Sequence, residues 1–265
     1  MARSADGTVY ELTGPKEAPI VALIHGLGLT RGTWDGHIPA LARRYRVLTY
    51  DLFGHGESAA PPEVPSVTMF SEQLLSLIDA LGIDRCAAVG FSLGGMINRR
   101  FAIDHPDRLA ALGILNSPHE RGPEAQALVE ERARQTDAGG PGATLDATIA
   151  RWFTPGFIAA RPDVIERVRG WVLANDPVSY TQCRFVLARG VVELIRPDPP
   201  ITAPALVMTC ENDSGSTPAM SRAIASEIAG SECIIVPGLQ HMGLVEEPAL
   251  FTRPLLRFLD RVLAK

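Results

Sequence analysis

The distribution of hydrophobic residues along the chain is dominated by short runs that are almost continuously apolar. Such runs occur at residues 20–25, 46–51, 86–91, 109–116, 205–210 and 232–236, and each has the length of a β-strand. A strand that is covered by helices on both faces has no solvent-facing side, so its sequence does not alternate between polar and apolar residues. These runs therefore predict a mostly parallel sheet.

Helical patterns lie between the predicted strands. They occur at residues 71–81, 93–105, 221–229 and 250–263, and the first places Leu74, Ile78 and Leu81 on one stripe. The second is expected to end at His105, because Pro106 disfavours helical backbone in the residue before it. Alternating strands and helices of this kind predict an α/β protein with a doubly wound, mostly parallel sheet.

The alternation stops over residues 117–200, where no strand-like run occurs. Helical patterns at residues 125–136, 145–153, 164–174 and 180–194 fill this stretch, with a flexible glycine-rich break at 138–142. We expect a helical lid here, inserted after the strand at 109–116 into a core formed by residues 1–116 and 201–265. The alternative is that the stretch is only an oversized crossover between two strands.

The composition is that of an ordinary soluble enzyme, with 46% hydrophobic and 21% charged residues. The formal net charge of -5 argues against a nucleic-acid partner, which usually requires a basic face. No apolar stretch resembles a signal peptide or approaches the ~18 residues of a membrane span, so we expect a cytoplasmic protein with no membrane partner. The cysteines are scattered without a CxxC pair, which predicts free thiols and no metal site. They are Cys86, Cys183, Cys210 and Cys233.

One serine lies in a sequence context that is typical of a nucleophile. Residues 90–94 read Gly-Phe-Ser-Leu-Gly, with a predicted strand before Ser92 and a predicted helix after it. A tight strand-to-helix turn holds the serine in a strained backbone conformation and presents its hydroxyl at the carboxyl edge of the sheet. Small residues such as Gly94 and Gly95 are needed where the two backbones pass close together. We predict that Ser92 is the nucleophile; the alternative is a glycine-rich turn with an incidental serine.

Serine is a weak nucleophile at neutral pH and needs a base. His241 follows the last predicted strand, so its loop lies at the same edge of the sheet as Ser92. Asp213 follows the strand at 205–210 and is predicted to hold His241 in the required tautomer. Glu211, two residues earlier, is a rival for that role.

The negatively charged intermediate of acyl transfer needs hydrogen-bond donors, which form an oxyanion hole. The backbone N–H of Leu93 is one candidate, and the backbone N–H of Leu27, in the loop after the strand at 20–25, is the other. Both are main-chain groups, so the side chains matter little there. His25 begins the same loop and is expected to organise it by hydrogen bonding rather than take part in catalysis.

Together these segments resemble the α/β-hydrolase superfamily. The resemblance rests on His-Gly-Leu-Gly at residues 25–28, on Asp-Leu-Phe-Gly-His-Gly-Glu-Ser at 51–58, and on Ser92, Asp213 and His241 in that chain order. Within the superfamily the chain is similar to 3-oxoadipate enol-lactonases, whose lid resembles residues 151–157 and 179–183. Those lactonases often carry Asn-Ser-Leu-Gly at the first motif. The N-terminal part looks short for the two antiparallel strands that this fold usually carries.

The predicted lid is expected to roof the substrate pocket and to determine specificity. If the substrate carries a carboxylate, an arginine should bind it through two parallel hydrogen bonds, and Arg151, Arg184 and Arg189 lie in the predicted lid. The other pocket candidates are apolar or small. They are Gly26, Trp34, Trp152, Phe153, Phe157, Trp171 and Met242.

The resemblance implies a serine hydrolase that cleaves a small ester or lactone through an acyl-enzyme, with neither cofactor nor metal. Two alternatives stay open: hydrolysis of a C–C bond in a vinylogous diketone, which uses the same triad, and a hydrolase-fold receptor that turns over its ligand slowly. Epoxide hydrolysis and dehalogenation are disfavoured, because those relatives have aspartate where Ser92 stands. We expect a small-molecule substrate, and lid surfaces often pair in this fold, so a homodimer is a further expectation.

Overall fold

A computed structural model of the chain describes residues 1–263, in which eight strands form a single sheet. The strands are β1 (Ala2–Arg3), β2 (Val9–Thr13), β3 (Ile20–Ile24), β4 (Arg46–Tyr50), β5 (Cys86–Phe91), β6 (Leu109–Leu115), β7 (Ala205–Cys210) and β8 (Glu232–Val236). Their order is β1-β2-β4-β3-β5-β6-β7-β8, and β3 to β8 are parallel. The six predicted strands and the doubly wound, mostly parallel sheet are thereby confirmed. The last two residues of the predicted core segment 201–265 lie outside the described residues.

The N-terminal part does form the two antiparallel strands for which it looked too short. β1 has two residues and pairs with β2 across a tight turn, in which the Ser4 N–H donates to the Thr8 carbonyl at 2.9 Å and Gly7 has a φ of 86°. β2 then pairs with β4 in the antiparallel direction. The expectation was wrong because a strand of two residues leaves no hydrophobic pattern in the sequence.

Within the described residues, eleven α-helices cover the sheet or follow β6. They are α1 (Ile38–Leu41), α2 (Val67–Ala80), α3 (Leu93–Asp104), α4 (Pro123–Gly139), α5 (Leu145–Trp152), α6 (Pro155–Ala160), α7 (Pro162–Leu173), α8 (Pro177–Arg189), α9 (Pro218–Glu227), α10 (Gly243–Glu246) and α11 (Pro248–Leu263). Short 3-10 helices span Arg31–Trp34, Pro106–Arg108 and Gly190–Leu194. α8 and α9 begin three residues earlier than predicted, because each starts with a proline behind a capping Asp176 or Thr217.

The segment between β6 and β7 contains α4 to α8 and no strand among its described residues. We call residues 117–200 the insertion. Two details differ from the prediction. α4 continues to Gly139, and the chain reverses at Gly140, which has a φ of 71°. α6 lies where no helix was expected; the Thr154 hydroxyl caps it by accepting a hydrogen bond from the Phe157 N–H at 3.2 Å.

The turn between β5 and α3 brings backbones into close contact. A Cβ atom on Gly90 would lie 2.0 Å from the carbonyl oxygen of Gly94, and a Cβ atom on Gly94 would lie 2.2 Å from the carbonyl oxygen of Ile24 in β3. Both distances are far below van der Waals contact, so only glycine fits at these positions. This packing fixes the start of α3 against the carboxyl ends of β3 and β5.

We expect Gly94→Ala to lower the free energy of unfolding by about 3 kcal/mol or more, because backbone atoms must move to admit the methyl group. Gly170 in α7 is a matched control, since a Cβ atom there would meet nothing within 4 Å. Gly170→Ala is expected to raise stability by about 0.5–1 kcal/mol, because alanine is the better helix former. Urea titrations monitored by circular dichroism compare both variants with the wild type. Equal effects of the two substitutions would contradict the close contact.

Candidate active site

Ser92 lies at the turn where β5 ends and α3 begins. Its backbone has φ 56° and ψ -112°, the strained conformation that the sequence predicts for this turn. The Ser92 N–H donates to the Leu115 carbonyl of β6 at 2.9 Å, which holds the turn in place. The hydroxyl does not cap α3, so it is available to other partners, and the residue is 6% exposed.

His241 and Asp213 lie beside this hydroxyl. The Ser92 Oγ and His241 Nε2 atoms are 3.1 Å apart, and His241 Nδ1 and Asp213 Oδ2 are 2.6 Å apart. Because the carboxylate can only accept, His241 donates from Nδ1 and keeps Nε2 free to accept from the serine hydroxyl. The structure therefore brings the three residues of the predicted triad into one chain of hydrogen bonds.

Asp213 is buried and held by several donors. Its Oδ1 accepts from the N–H groups of Gly215 and Ser216, each at 2.9 Å, and its Oδ2 also accepts from Asn116 Nδ2 at 2.9 Å. Burial opposes ionisation, but the attraction of His241 and the hydrogen bonds outweigh it, so the pKa of Asp213 lies below its ordinary value. Asp213 thus stays ionised and acts as a fixed acceptor.

The rival Glu211 points elsewhere, since its Oε2 accepts from the Gly238 N–H at 3.0 Å on the surface.

His25 organises the loop after β3, as the sequence predicts. Its Nδ1 donates to the Gly26 carbonyl at 2.8 Å, and its Nε2 accepts from the Leu52 N–H at 3.0 Å. Complete burial lowers the pKa of His25 to about 4, so the ring stays neutral. The other histidines have partners away from Ser92: His37 contacts Thr252 and Leu244, His55 contacts Phe53, His105 contacts Glu72 and His119 contacts Glu227.

The predicted oxyanion donors flank the serine. Leu93 is the first residue of α3, where a backbone N–H has no partner within the helix. Leu27 lines the same cavity as Ser92. The loop that carries Leu27 passes close to the serine, because a Cβ atom on Gly26 would lie 3.2 Å from Ser92 Cβ. The two predicted donors therefore belong to residues close to Ser92, Leu93 as its neighbour in the chain and Leu27 in the wall of its cavity.

A narrow cavity opens in front of the Ser92 hydroxyl. The volume of this cavity is about 70 Å³. Of the predicted pocket residues, Gly26 and Trp152 line it, together with Arg151 and Arg184. A substrate that fits without rearrangement is therefore small.

The remaining pocket candidates do not belong to the described lining of this cavity. Trp34 is completely buried beside His37, Phe153 stacks on Phe157 with ring centroids 5.5 Å apart, and Met242 is completely buried. Arg189 lies over the Phe185 ring in another groove, and Trp171 borders a surface groove near Arg31. The apolar side chains among these candidates pack within the core or the insertion. Sequence patterns alone cannot distinguish such a side chain from one that lines a pocket.

The insertion is bonded to the loops that carry the site. The Met242 N–H donates to the Trp152 carbonyl at 2.8 Å, and the Thr154 N–H and hydroxyl donate to the Glu246 carboxylate at 2.8 and 2.7 Å. At the other side, Asn175 Nδ2 donates to the Gly28 carbonyl at 3.2 Å. The helices α5 and α7 are thereby tied to the His241 loop and to the loop after β3.

Among the residues of the site that escaped the sequence analysis are Asn116, Arg121 and Arg132. Asn116, which bonds Asp213, directly follows the apolar run of β6, and its place at the carboxyl edge of the sheet was the available signal. Arg121 and Arg132 line the cavity from the start and the middle of the α4 region. Their charges are typical of a solvated helix face, so the sequence offered no signal that they turn inward.

Within residues 1–263, Glu72, Asp104 and His105 are the group whose ligand atoms lie close enough to hold a metal. They border α2 and α3 rather than the cavity, and Asp104 and His105 are already paired with Arg100 and Glu72. Among the described helices, none has the length and apolar character needed to cross a membrane.

Protonation of Asp213 is expected to weaken the fold at low pH. Its pKa is lower in the folded protein than the ordinary 3.8, so its ionised form contributes stability that is present above that value and lost as the pH falls through the folded-state pKa. Asp213→Asn lacks this contribution. Urea titrations at about pH 5 and about pH 2.5 should show that the stability advantage of the wild type over Asp213→Asn shrinks at the lower pH. An unchanged or larger advantage would contradict the lowered pKa.

Comparisons with known proteins agree with this architecture. The sequence profile described as "Alpha/beta hydrolase family" matches residues 21–253. The chain is 28% identical to 3-oxoadipate enol-lactonase 2 of Acinetobacter baylyi over 91% of its length and 89% of that protein. Its structure is similar to an enol-lactonase from Burkholderia xenovorans (TM-score 0.88, 30% identity, 96% of each chain). It is also similar to a thermophilic esterase from Thermogutta terrifontis solved with malate bound (TM-score 0.86, 27% identity, 96% of this chain and 93% of that one). With this profile covering most of its length, the chain belongs to the α/β-hydrolase family.

Proposed function

We propose that the protein is a serine hydrolase that cleaves a small ester or lactone through an acyl-enzyme. The observation that carries the proposal is the continuous chain of hydrogen bonds from Ser92 through His241 to Asp213, beside a narrow cavity that Ser92 and His241 both line. A nucleophile bonded to a base, with the base bonded to an orienting carboxylate, is the arrangement that acyl transfer requires.

In the first step, Ser92 Oγ attacks the acyl carbonyl carbon while its proton passes to His241 Nε2. The carbonyl π-bond opens, and the negative charge moves to the former carbonyl oxygen. Asp213 stabilises the imidazolium that forms and does not itself take the proton. When the tetrahedral intermediate collapses, His241 gives the proton to the leaving oxygen, and Ser92 remains as an ester of the acyl group.

In the second step, His241 takes a proton from water, and the resulting hydroxide attacks the acyl-enzyme. Collapse of the second intermediate returns the proton to Ser92 Oγ and releases a carboxylic acid. With a lactone, the leaving oxygen and the new acid belong to one molecule, so the product is an open hydroxy acid, or its keto form when the ring oxygen is enolic.

The backbone N–H groups of Leu27 and Leu93 would stabilise the negative oxygen in both steps. Leu93 begins α3 directly after Ser92, and Leu27 lines the cavity from the loop after β3, so an oxygen bound between them would meet two donors at once. Removing one such donor typically costs an enzyme about 10²- to 10³-fold in kcat. Because both donors are main-chain groups, Gly26 contributes by its small size rather than by chemistry.

We also propose that the insertion acts as the lid of the site. Support comes from the wall it forms, since Arg121, Arg132, Arg151, Trp152 and Arg184 line the cavity that contains Ser92. The hydrogen bonds of α5 to the His241 loop hold this wall next to the base. A lid of this kind excludes water from the reacting groups and strengthens the electrostatic interactions among them.

The small cavity favours a compact substrate over a long acyl chain. The similarity to enol-lactonases supports a lactone, and the similarity to an esterase supports an open ester. Both reactions use the steps above. Hydrolysis of a C–C bond in a vinylogous diketone also uses the same triad. Turnover of p-nitrophenyl acetate separates this C–C hydrolysis from ester or lactone hydrolysis, because rapid turnover of a simple ester favours an esterase. A receptor that hydrolyses its ligand slowly would show one turnover and then stop.

We expect Ser92→Ala to lower kcat for p-nitrophenyl acetate by about 10⁴-fold or more, because no other group can form the acyl-enzyme. The same change should abolish covalent labelling by a fluorophosphonate, read as the mass of the intact protein. Ser221 in α9 is a matched control: it is a buried serine whose hydroxyl has no partner among the described residues. Ser221→Ala should keep both activity and labelling. Labelling that persists in Ser92→Ala would refute the proposal.

A further inference from the structure

Four arginines from different parts of the insertion converge on the cavity in front of Ser92. Arg121 precedes α4, Arg132 lies on α4, Arg151 on α5 and Arg184 on α8, and all four line the cavity. Guanidinium groups stay protonated at neutral pH, so this part of the cavity wall is positively charged. The protein as a whole is acidic, with a formal charge of -5, so this positive wall is a local feature.

None of the four forms an ion pair with a carboxylate of residues 1–263. Arg184 makes only two long contacts, at 3.4 Å, to the hydroxyls of Tyr180 and Thr144. Arg121 donates to the Leu187 and Ala188 carbonyls at 3.5 and 3.4 Å and to Gln126 at 3.5 Å, all at the outer limit for a hydrogen bond. The guanidiniums of Arg132 and Arg151 have no hydrogen-bond partner within the described chain.

Exposed arginines of the same insertion do have carboxylate partners. Arg134 pairs with Glu131 at 2.9 Å, and Arg161 pairs with Asp163 at 2.8 Å. Carboxylates are therefore available in this segment, yet they lie on its outer face. The inner arginines are left with unused donors, although Arg184 is only 8% exposed and Arg121, Arg132 and Arg151 are half-buried.

Leaving these charges unpaired is unfavourable. Burial lowers the pKa of Arg151 to about 10, and the charges of Arg132 and Arg184 lower it further, although the negative charge of Asp213 opposes them. Burial and then the charge of Arg184 also lower the pKa of Arg132. Arg132, Arg151 and Arg184 are thus close enough to repel one another, and an anion between them would relieve the repulsion.

We infer that the substrate carries two carboxylate groups in addition to the ester or lactone that reacts, and that Arg132, Arg151 and Arg184 bind them. This inference rests on the proposed function, because the same cavity holds Ser92. A single carboxylate occupies the fork of one guanidinium and leaves two of these three cations unpaired. The three side chains come from three helices, so they approach the cavity from separate directions and suit two separate anionic groups.

Product-like acids test the inference without any chemistry on an ester. Each of the three acids used has one carboxylate that corresponds to the acid that hydrolysis would create. Butyrate has no further carboxylate, succinate has one more, and tricarballylate has two more. Their dissociation constants are measured by calorimetry on Ser92→Ala and as competitive inhibition of p-nitrophenyl acetate hydrolysis by the wild type. Each added carboxylate should tighten binding by about tenfold or more, because a hydrogen-bonded charge pair forms. Inorganic phosphate, which concentrates its charge on one group, should bind more weakly than tricarballylate.

Variants connect the binding to the arginines. Arg151→Gln and Arg184→Gln should each weaken tricarballylate binding by about tenfold or more and leave butyrate binding nearly unchanged. Arg134→Gln is the matched control, since Arg134 lies on the same helix as Arg132 but faces solvent and pairs with Glu131. It should bind all three acids like the wild type. Thermal unfolding of each variant verifies that it is folded.

The outcomes separate this inference from the proposed function. Three results would overturn the two-carboxylate assignment, whatever the esterase assay shows. They are equal binding of succinate and tricarballylate, tighter binding of phosphate than of tricarballylate, and tricarballylate binding that survives both arginine substitutions. Arginine-dependent binding of tricarballylate supports the assignment. If the wild type binds tricarballylate in this way but neither hydrolyses p-nitrophenyl acetate nor reacts with a fluorophosphonate, the two-carboxylate assignment stands and only the proposed function fails.

Discussion

The close contact between β5 and α3 is the constraint on which the rest of the site depends. Gly90 and Gly94 leave no room for side chains, so the chain must turn from strand to helix within one residue. That residue, Ser92, takes the positive φ of 56° that non-glycine residues adopt at a cost of about 1–3 kcal/mol. The buried sheet offsets this cost. The result is that Ser92 lines the cavity and that its neighbour Leu93 begins α3 with an N–H free of intrahelical bonds.

The order of the strands explains why the other groups meet this hydroxyl. β5, β6, β7 and β8 are neighbours in the sheet, and each contributes one residue just beyond its carboxyl end: Ser92, Asn116, Asp213 and His241. Parallel strands lie about 4.8 Å apart, which is within reach of one or two side chains. Asp213 and Asn116 therefore meet directly, and the longer loop before His241 lets the imidazole reach back across two strands to Ser92. The hydrogen-bonded chain is a consequence of the topology.

This dependence on topology also explains how much could be predicted from the sequence. The six long strands, the turn at Ser92 and the edge on which Asp213 and His241 lie follow from local patterns, because a parallel sheet places all carboxyl ends on one side. The two-residue strand β1 carries no such pattern. The pocket walls were harder still: Trp34 and Phe153 are as apolar as Trp152, yet only Trp152 lines the cavity. The packing of an insertion helix against the core decides which of its faces turns inward. For this reason the sequence alone could not distinguish Arg132 from a surface residue.

The positive wall adds a constraint of a different kind. The core holds Asp213 with several short hydrogen bonds, whereas the inner arginines of the insertion leave donors unused. Hydrogen bonds such as Met242 to Trp152 and Asn175 to Gly28 tie the insertion to the core, whereas the arginines repel one another within the insertion. An anion bound between them, as proposed above, would reduce that repulsion. Binding of such an anion would therefore be coupled in free energy to the packing of the insertion helices against one another.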